Sequence, residues 1–234
     1  MIDFHSHILP RLDDGAKSTE ESVALLDMLE KQGVNHVFAT PHFLPEKEAL
    51  HEFIRQRDEA YASLLDVYSG GVSISVGAEV AYFRGITRIA EIESLKLSGT
   101  ELLLLEMPMM PWSSYMTKEL IELAYSTKTV PVIAHIERCM AYQKPAVLWD
   151  MIESGVLMQA NATFFADVKT KRKAIKLLKK GFIHLIGSDT HNLKTRPPRL
   201  DEACLVIEKK LGEQSLHALM NFSEESVFKS LKTV

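Results

Sequence analysis

Two pairs of side chains that could bind a metal ion stand near opposite ends of this 234-residue sequence. His5 and His7 end a short apolar run at the start of the chain, and Asp189 and His191 follow a second apolar run at residues 182–187. A spacing of two places both histidines on one face of an extended strand. Imidazoles and carboxylates are ligands of divalent metals, so the two pairs could bind a shared ion.

Further side chains of the same types follow the other apolar runs and the first loop. Together with the two pairs, the candidate ligands are His5, His7, Asp14, His42, Glu79, Glu106, His135, Asp189 and His191. Nitrogen and oxygen ligands without thiolates favour Mn²⁺, Fe²⁺ or Zn²⁺ over Ca²⁺ or a structural zinc site. Because nine ligands are too many for one ion, the sequence predicts a cluster of two or three metal ions.

Three more polar residues could contact a substrate near such a cluster. Three divalent ions would outweigh the four ligand carboxylates, and the remaining positive charge would attract a phosphate dianion. Arg138 follows His135, and Arg196 stands in a proline-flanked loop; both guanidinium groups could bind phosphate oxygens. Asn161 ends an apolar run, where it could contact the substrate or simply cap a turn.

The remaining histidines and the cysteines indicate no other chemistry. The histidines predicted to be structural are His36, His51, His184 and His217. Cys139 and Cys204 are too few for a disulfide framework or a thiolate zinc cluster. Neither cysteine has an arginine six positions later, so neither matches the phosphate loop of cysteine-dependent phosphatases.

Short strand patterns alternate with helical patterns along the whole chain. The predicted strands are residues 1–7, 34–40, 72–79, 101–106, 130–135, 155–161 and 182–187, and the predicted helices cover about 19–32, 46–68, 116–125 and the tail after Pro198. Ser18 and Glu21 form a capping box for the first helix. This alternation predicts an α/β fold with a parallel sheet.

A polar residue after every strand favours a distorted seven-stranded TIM-like barrel, whose site lies at the carboxyl ends of its strands. In an open doubly wound sheet, only the loops near the switch point lie close together, so ligands from all seven strands would be hard to bring together. No linker divides the chain, so residues 1–234 are predicted to form a single domain.

Composition excludes several function classes. With 46% hydrophobic and 25% charged residues, the sequence is typical of a globular protein, and its net charge of −4 provides no basic footprint for nucleic acid. The sequence contains no signal-peptide pattern and no apolar run of membrane-spanning length, so we expect a cytoplasmic protein without membrane insertion.

Several motifs together resemble a known family. They are His5-x-His7, the Asp13-Asp14-Gly15 loop, Thr40-Pro41-His42, Gly77-Ala78-Glu79, Glu106, His135-Ile136-Glu137-Arg138 and Ser188-Asp189-x-His191-Asn192, followed by Arg196-Pro197-Pro198. The set resembles the polymerase and histidinol phosphatase (PHP) superfamily. More narrowly, it looks like the bacterial protein-tyrosine phosphatases of capsule and exopolysaccharide loci.

The resemblance implies hydrolysis of phosphotyrosine by a hydroxide that three metal ions make available. The ions would be of manganese type, with Fe²⁺ or Zn²⁺ as alternatives. The implied ligands are His5, His7, Glu79 and Asp189 for the first ion, Glu79, Glu106 and His135 for the second, and Asp14, His42 and His191 for the third. Arg138 and Arg196 match phosphate-binding positions. The implied substrate is the tyrosine-rich tail of a cognate bacterial tyrosine kinase.

Two other functions remain open at the level of sequence. One is a phosphatase of small metabolites such as histidinol phosphate, and the other is a metal-bound module that binds phosphotyrosine without turnover. The apolar segment Met107–Tyr115 could contact a substrate or serve only in packing. The sequence identifies no general acid and does not indicate an oligomeric state.

Overall fold

The computed structural model describes residues 1–89, 91–126, 128–220 and 222. Its strands are β1 (Ile2–Ser6), β2 (His36–Ala39), β3 (His42–Phe43), β4 (Ser73–Val76), β5 (Glu79–Ala81), β6 (Leu102–Glu106), β7 (Val130–Ile133), β8 (Leu157–Asn161) and β9 (Leu185–Gly187). Its α-helices are α1 (Thr19–Lys31), α2 (Leu50–Leu65), α3 (Ser114–Ser126), α4 (Ile136–Cys139), α5 (Pro145–Glu153), α6 (Ala162–Ala166), α7 (Lys171–Lys179) and α8 (Leu200–Leu211). Short 3-10 turns cover Ile86–Arg88 and Ile92–Leu95, and residues 213–220 are helical.

The strands form two parallel sheets that curl around a common interior. One sheet has the order β1-β2-β4, and the other has the order β3-β5-β6-β7-β8-β9. The first and last strands of the chain meet where the His7 amide donates to Thr190 at 2.9 Å and the Asp189 amide donates to His5 at 2.8 Å. The buried Asp3 carboxylate accepts from the Ser188 amide at 2.8 Å and strengthens this junction.

The predicted mixed α/β architecture with a parallel sheet is confirmed, but the count of seven strands is not. The described residues contain nine strands because the short β3 follows the second predicted strand and the third predicted strand is broken into β4 and β5. At Pro41, which has no amide hydrogen for a ladder bond, the chain passes from one sheet to the other. The break between β4 and β5 falls at Gly77, where a Cβ would lie 2.6 Å from the Leu97 side chain.

The predicted helices are present with shifted bounds. The first begins after Ser18, whose hydroxyl accepts from the Glu21 amide as the capping box requires. The second is shorter than predicted at both ends, and Ala49 before it makes no side-chain capping hydrogen bond. The third is longer and begins after Ser113, whose hydroxyl accepts from the Met116 amide at 3.3 Å. Part of the predicted single domain, residues 223–234, lies outside the described residues.

Alternate side chains of β6 pack in two separate apolar clusters. Leu103 and Leu105 join the larger cluster, which includes buried residues of α1 and α3. Leu102 and Leu104 join a smaller cluster with Phe4. Glu106 continues the face of Leu102 and Leu104 along the strand, so the smaller cluster supports the strand end from which this carboxylate projects. Among the described residues, no helix has the length and apolar character needed to cross a membrane.

Candidate metal centre

The structure brings all the predicted ligands into one connected cluster at the carboxyl ends of the strands. Most of them project from a strand end or from the residues just after it, and Asp14 lies in the loop after β1. The side chains in this cluster are His5, His7, Asp14, His42, Glu79, Glu106, His135, Asp189 and His191. These are the residues that the sequence predicts to form a metal site.

Glu79 lies at the centre of the cluster and is almost fully buried. Its Oε2 lies 3.2 Å from His5 Nε2, 3.3 Å from His7 Nε2 and 3.0 Å from His42 Nδ1, and its Oε1 lies 2.7 Å from His135 Nε2. Oε2 nevertheless has no hydrogen-bond partner of suitable geometry. A buried carboxylate oxygen surrounded by imidazole nitrogens is typical of a site for a cation.

The outer part of the cluster is more exposed. Asp14 Oδ1 lies 3.3 Å from His191 Nε2 and 3.5 Å from His42 Nε2. On the opposite side, Glu106 Oε1 lies 3.5 Å from His135 Nε2. These carboxylates therefore stand at the entrance of the site, where solvent and a substrate can approach.

Ligand atoms form three overlapping groups in which all atoms lie within 4.8 Å of one another. The groups are His7, Asp14, His42 and His191; His5, His7 and Asp189; and His42, Glu79 and Glu106. His7 and His42 each occur in two groups, whereas the sequence-based allocation assigned each to a single ion. The allocation of ligands to individual ions therefore stays a prediction.

Asp189 connects the metal-ligand cluster to the two predicted phosphate-binding arginines. Its Oδ1 lies 3.6 Å from His5 Nε2 and from His7 Nε2. Its Oδ2 accepts hydrogen bonds from Arg138 at 2.6 Å and from Arg196 at 2.7 Å. One carboxylate thus faces the imidazoles with one oxygen and the guanidinium groups with the other.

The Asn161 side chain contacts Asp189 and does not cap the helix that follows it. It occupies the residue before α6 but its side chain makes no capping hydrogen bond there. Instead, its Nδ2 donates to Asp189 Oδ2 at 2.6 Å. Of the two roles considered for Asn161, the structure disfavours the turn cap.

Two of the candidate ligand residues have a left-handed backbone. His135 has φ 32° and Asp189 has φ 52°. Residues other than glycine rarely adopt such angles, and they concentrate at functional sites where the surrounding structure holds them. The amide of His135 donates to Gln159 Oε1 at 2.7 Å, and the amide of Asp189 donates to His5. These hydrogen bonds hold both side chains towards the cluster.

Two residues that orient the histidines were not identified from the sequence. Asp13 Oδ2 lies 2.7 Å from His7 Nδ1, and Gln159 Oε1 lies 3.3 Å from His5 Nδ1. Such contacts fix the tautomer that leaves Nε2 free to bind a metal. A polar Gln159 inside the apolar strand β8 was an available signal, whereas nothing in the sequence distinguishes Asp13 from its neighbour Asp14.

The charges of the cluster favour a cation. Burial alone would lower the pKa of His5, but Glu79 and Asp189 outweigh it and raise that pKa to about 9. Burial opposes a similar shift at His7, whose pKa is raised to about 9 by Asp13 and Glu79. The carboxylates that draw protons onto these imidazoles would equally attract a divalent metal ion, so the residues present fit a metal centre.

The other histidines lie outside this cluster. His36 begins β2, His51 lies in α2 and His217 lies in the helical stretch at 213–220. His184 was expected within the last strand but precedes β9, where its Nδ1 accepts from the Met158 amide at 3.1 Å. These positions agree with structural roles.

Comparisons with known proteins agree with the geometry. Residues 1–229 match the family model described as capsular polysaccharide synthesis, CpsB/CapC. The tyrosine-protein phosphatase YwqE of Bacillus subtilis is 29% identical over 96% of this chain and 90% of its own length. The tyrosine-protein phosphatase CpsB of Streptococcus pneumoniae is 31% identical over 94% of each chain.

Solved structures extend the comparison. One similar crystal structure comes from work on YwqE of B. subtilis and CpsB of S. pneumoniae, which are described as unique metal-dependent tyrosine phosphatases. It has a TM-score of 0.82 at 27% identity, and the match covers 97% of this chain and 94% of that chain. Histidinol phosphate phosphatase of Lactococcus lactis, complexed with zinc, histidinol and phosphate, has a TM-score of 0.51 at 13% identity, covering 89% and 92%. The second similarity concerns the fold alone.

Proposed function

The chain belongs to the CpsB/CapC family of capsular polysaccharide synthesis proteins, and from this membership we propose the chemistry of its site. The protein is a metal-dependent protein-tyrosine phosphatase, as its relatives' names and the geometry of its cluster support. The observation that carries the proposal is the position of Asp189, which joins buried imidazoles on one side to two guanidinium groups on the other. The proposed phosphate-binding groups therefore lie directly beside the proposed metal ligands.

The proposed metal ligands are the nine residues of the cluster. Glu79, in contact with four imidazoles, is the proposed bridging carboxylate. When bound, divalent ions supply a nucleophilic hydroxide near neutral pH and stabilise negative charge on the phosphate. We infer three ions of manganese type, with Fe²⁺ and Zn²⁺ as alternatives, because the ligands are imidazoles and carboxylates without thiolates.

The residues of the chain have separate tasks in this scheme. Arg138 and Arg196 bind the phosphate oxygens and stabilise the charge that develops on them during in-line displacement. Asn161 donates to Asp189 and holds its orientation. The phenol of the leaving tyrosine has a pKa of about 10, so its phenolate leaves with little assistance from a general acid.

The proposed substrate is a phosphotyrosine protein. We infer that it is the tyrosine-rich tail of a cognate bacterial kinase in capsule or exopolysaccharide regulation, and that the reaction takes place in the cytoplasm. The names of the relatives support a phosphotyrosine protein as the substrate, and the family description supports a role in capsule synthesis. A small-molecule phosphatase and a non-catalytic phosphotyrosine-binding module are the alternatives that the experiment must separate.

The test compares hydrolysis of a phosphotyrosine peptide and of histidinol phosphate by chelator-treated protein with Mn²⁺, Fe²⁺, Zn²⁺ or Mg²⁺ restored. We expect metal-dependent turnover that favours the peptide. Preference for histidinol phosphate would assign the protein to small-molecule metabolism with the same site. Bound metal without turnover of either ester would overturn the enzymatic proposal in favour of the binding module.

A further inference from the structure

Exposed apolar side chains follow two of the strands that lead to the metal-ligand cluster. Met109 and Met110 are 62% and 53% exposed, and Tyr115 and Tyr142 are 41% and 46% exposed. We call these four residues the apolar rim. They belong to the segments that follow β6 and β7, the strands that lead to Glu106 and His135. Single exposed apolar residues are common, but a group beside a candidate active site indicates an interaction surface.

The segment that carries the two methionines is well anchored. Gln143 Nε2 donates to the Met110 carbonyl at 2.7 Å, and Gln143 Oε1 accepts from the Trp112 amide at 3.2 Å. The Trp112 indole donates to the Pro108 carbonyl at 3.0 Å. Met107 and Trp112 are buried, whereas the two methionines between them face solvent. Packing therefore explains the buried residues of this segment but not the exposed ones.

A charged residue completes this surface. The guanidinium carbon of Arg84 lies 4.6 Å from the centre of the Tyr115 ring. The buried Glu119 accepts hydrogen bonds from Tyr115 at 3.0 Å, from Tyr82 at 2.5 Å and from the Gly85 amide at 2.8 Å. Glu119 therefore holds the Tyr115 side chain in place, and the Tyr115 ring supports the exposed Arg84 guanidinium group. Side chains that are held before binding lose less conformational entropy when a ligand binds.

Covalent connection keeps the apolar rim close to the metal ligands. Met109 is three residues after Glu106, so their Cα atoms are separated by at most about 11 Å. Tyr82 donates its amide to the Glu106 carbonyl at 2.9 Å, and Arg84 follows two residues later. A peptide whose phosphotyrosine reaches the cluster would extend its neighbouring residues across this surface.

We propose that the apolar rim and Arg84 form a docking surface for the peptide segment that flanks the phosphotyrosine. The methionines contact an apolar side chain of this segment, since flexible thioethers adapt to different partners. Arg84 pairs with an acidic side chain of the same segment. The inference rests on the proposed phosphatase function and adds to it a reason for preferring protein substrates over small phosphate esters.

The experiment compares the metal-loaded wild type with the variants M109S/M110S and R84Q. The substrates are a phosphotyrosine peptide with flanking Leu and Glu, the same peptide with Ser in place of Leu, the same peptide with Ser in place of Glu, and p-nitrophenyl phosphate. Leu205→Ser is the matched control because Leu205 is 64% exposed in α8 and lines a cavity with Met1, which precedes the amino end of β1. We expect M109S/M110S to lower kcat/KM for the Leu–Glu peptide about tenfold through KM, with p-nitrophenyl phosphate hydrolysis unchanged.

R84Q should remove most of the preference for Glu over Ser while leaving the small ester unaffected. Equal losses for peptide and small ester, or no loss for either, would overturn the docking surface while the phosphatase function stands. A wild type that hydrolyses p-nitrophenyl phosphate but none of the peptides would instead overturn the protein-phosphatase function, and the docking surface with it. A Leu205→Ser enzyme with the same peptide defect would show that the effect is not local to the apolar rim.

Discussion

Arg138 and Arg196 donate to the same atom, Oδ2 of Asp189, at 2.6 Å and 2.7 Å. Each guanidinium group has five N–H donors, so both keep donors that are not used by this carboxylate oxygen. Both arginine side chains are 36% exposed. A cavity of about 420 Å³ is lined by both arginines and by Asp189. The pair is therefore positioned to receive an anion from solvent beside the candidate metal ligands.

Removing one of these arginines should slow phosphate transfer. Arg138→Ala is expected to lower kcat/KM for a phosphotyrosine peptide by about 10²–10³, because charge on the phosphate loses a fixed donor. Arg138→Lys should recover only part of the rate, since lysine lacks the planar fork. Arg199→Ala is the control, because Arg199 lines the same cavity but pairs with Asp167 and Glu202. Equal rates for Arg138→Ala and wild type would remove Arg138 from the site.

Removing a candidate ligand should abolish activity without unfolding the protein. His42→Ala is expected to show no measurable turnover with any of the metals tested, because its nitrogens lie 3.0 Å from Glu79 and 3.5 Å from Asp14. His42 is only partly buried, so circular dichroism should still report a native fold. His51→Ala in α2 provides the matched control and should retain full activity. Turnover by His42→Ala close to that of wild type would contradict the assignment of this ligand.

Asp13→Asn tests a residue that acts through a ligand. The burial of Asp13 would raise the pKa of its carboxyl, but His7 outweighs that effect and keeps the pKa well below its usual range. An amide cannot supply the same charge or fix the same His7 tautomer, so metal affinity should fall about 10–100-fold. Isothermal titration with Mn²⁺ measures the change, and excess metal should restore much of the activity.

The control for this variant is Asp27→Asn, which removes an exposed carboxylate from α1. Its metal affinity should equal that of wild type. A wild-type affinity in Asp13→Asn would show that the 2.7 Å contact with His7 is dispensable.

The stability of the protein should depend on the charge state of His36. Burial lowers the pKa of this histidine, and its Nε2 has no hydrogen-bond partner. When the pKa of a histidine is lower in the folded state than in the unfolded state, its contribution to the free energy of unfolding is fully present above the unfolded-state pKa of about 6.5. This contribution is lost as the pH falls, because unfolding then allows the imidazole to bind a proton. His36→Phe should therefore lose less free energy of unfolding between pH 7 and pH 5 than wild type.

Urea unfolding at both pH values measures that difference. The phenylalanine can retain the edge contact that the imidazole makes with Phe38 at a centroid distance of 4.7 Å. An identical pH dependence in the variant and wild type would show that His36 makes no contribution to acid sensitivity.

Local patterns were sufficient to predict the α/β class, the four longest of the described α-helices and the residues that meet in the candidate metal centre. Strand and helix periodicities are properties of neighbouring residues, and a metal-ligand side chain at a strand end is visible in the sequence itself. The short strand after Pro41 and the break at Gly77 were missed because they depend on strand pairing and on Leu97, which lies 20 residues from Gly77 in the sequence.

The residue types at the strand ends can be read from the sequence, and their motifs are enough to indicate the family. The orientation of those residues depends on the tertiary structure. Gln159 contacts His5 across 154 positions, and Asn161 contacts Asp189 across 28. Such hydrogen bonds form only after the strands pair, so no local pattern specifies which oxygen of Asp189 faces the imidazoles and which faces the arginines.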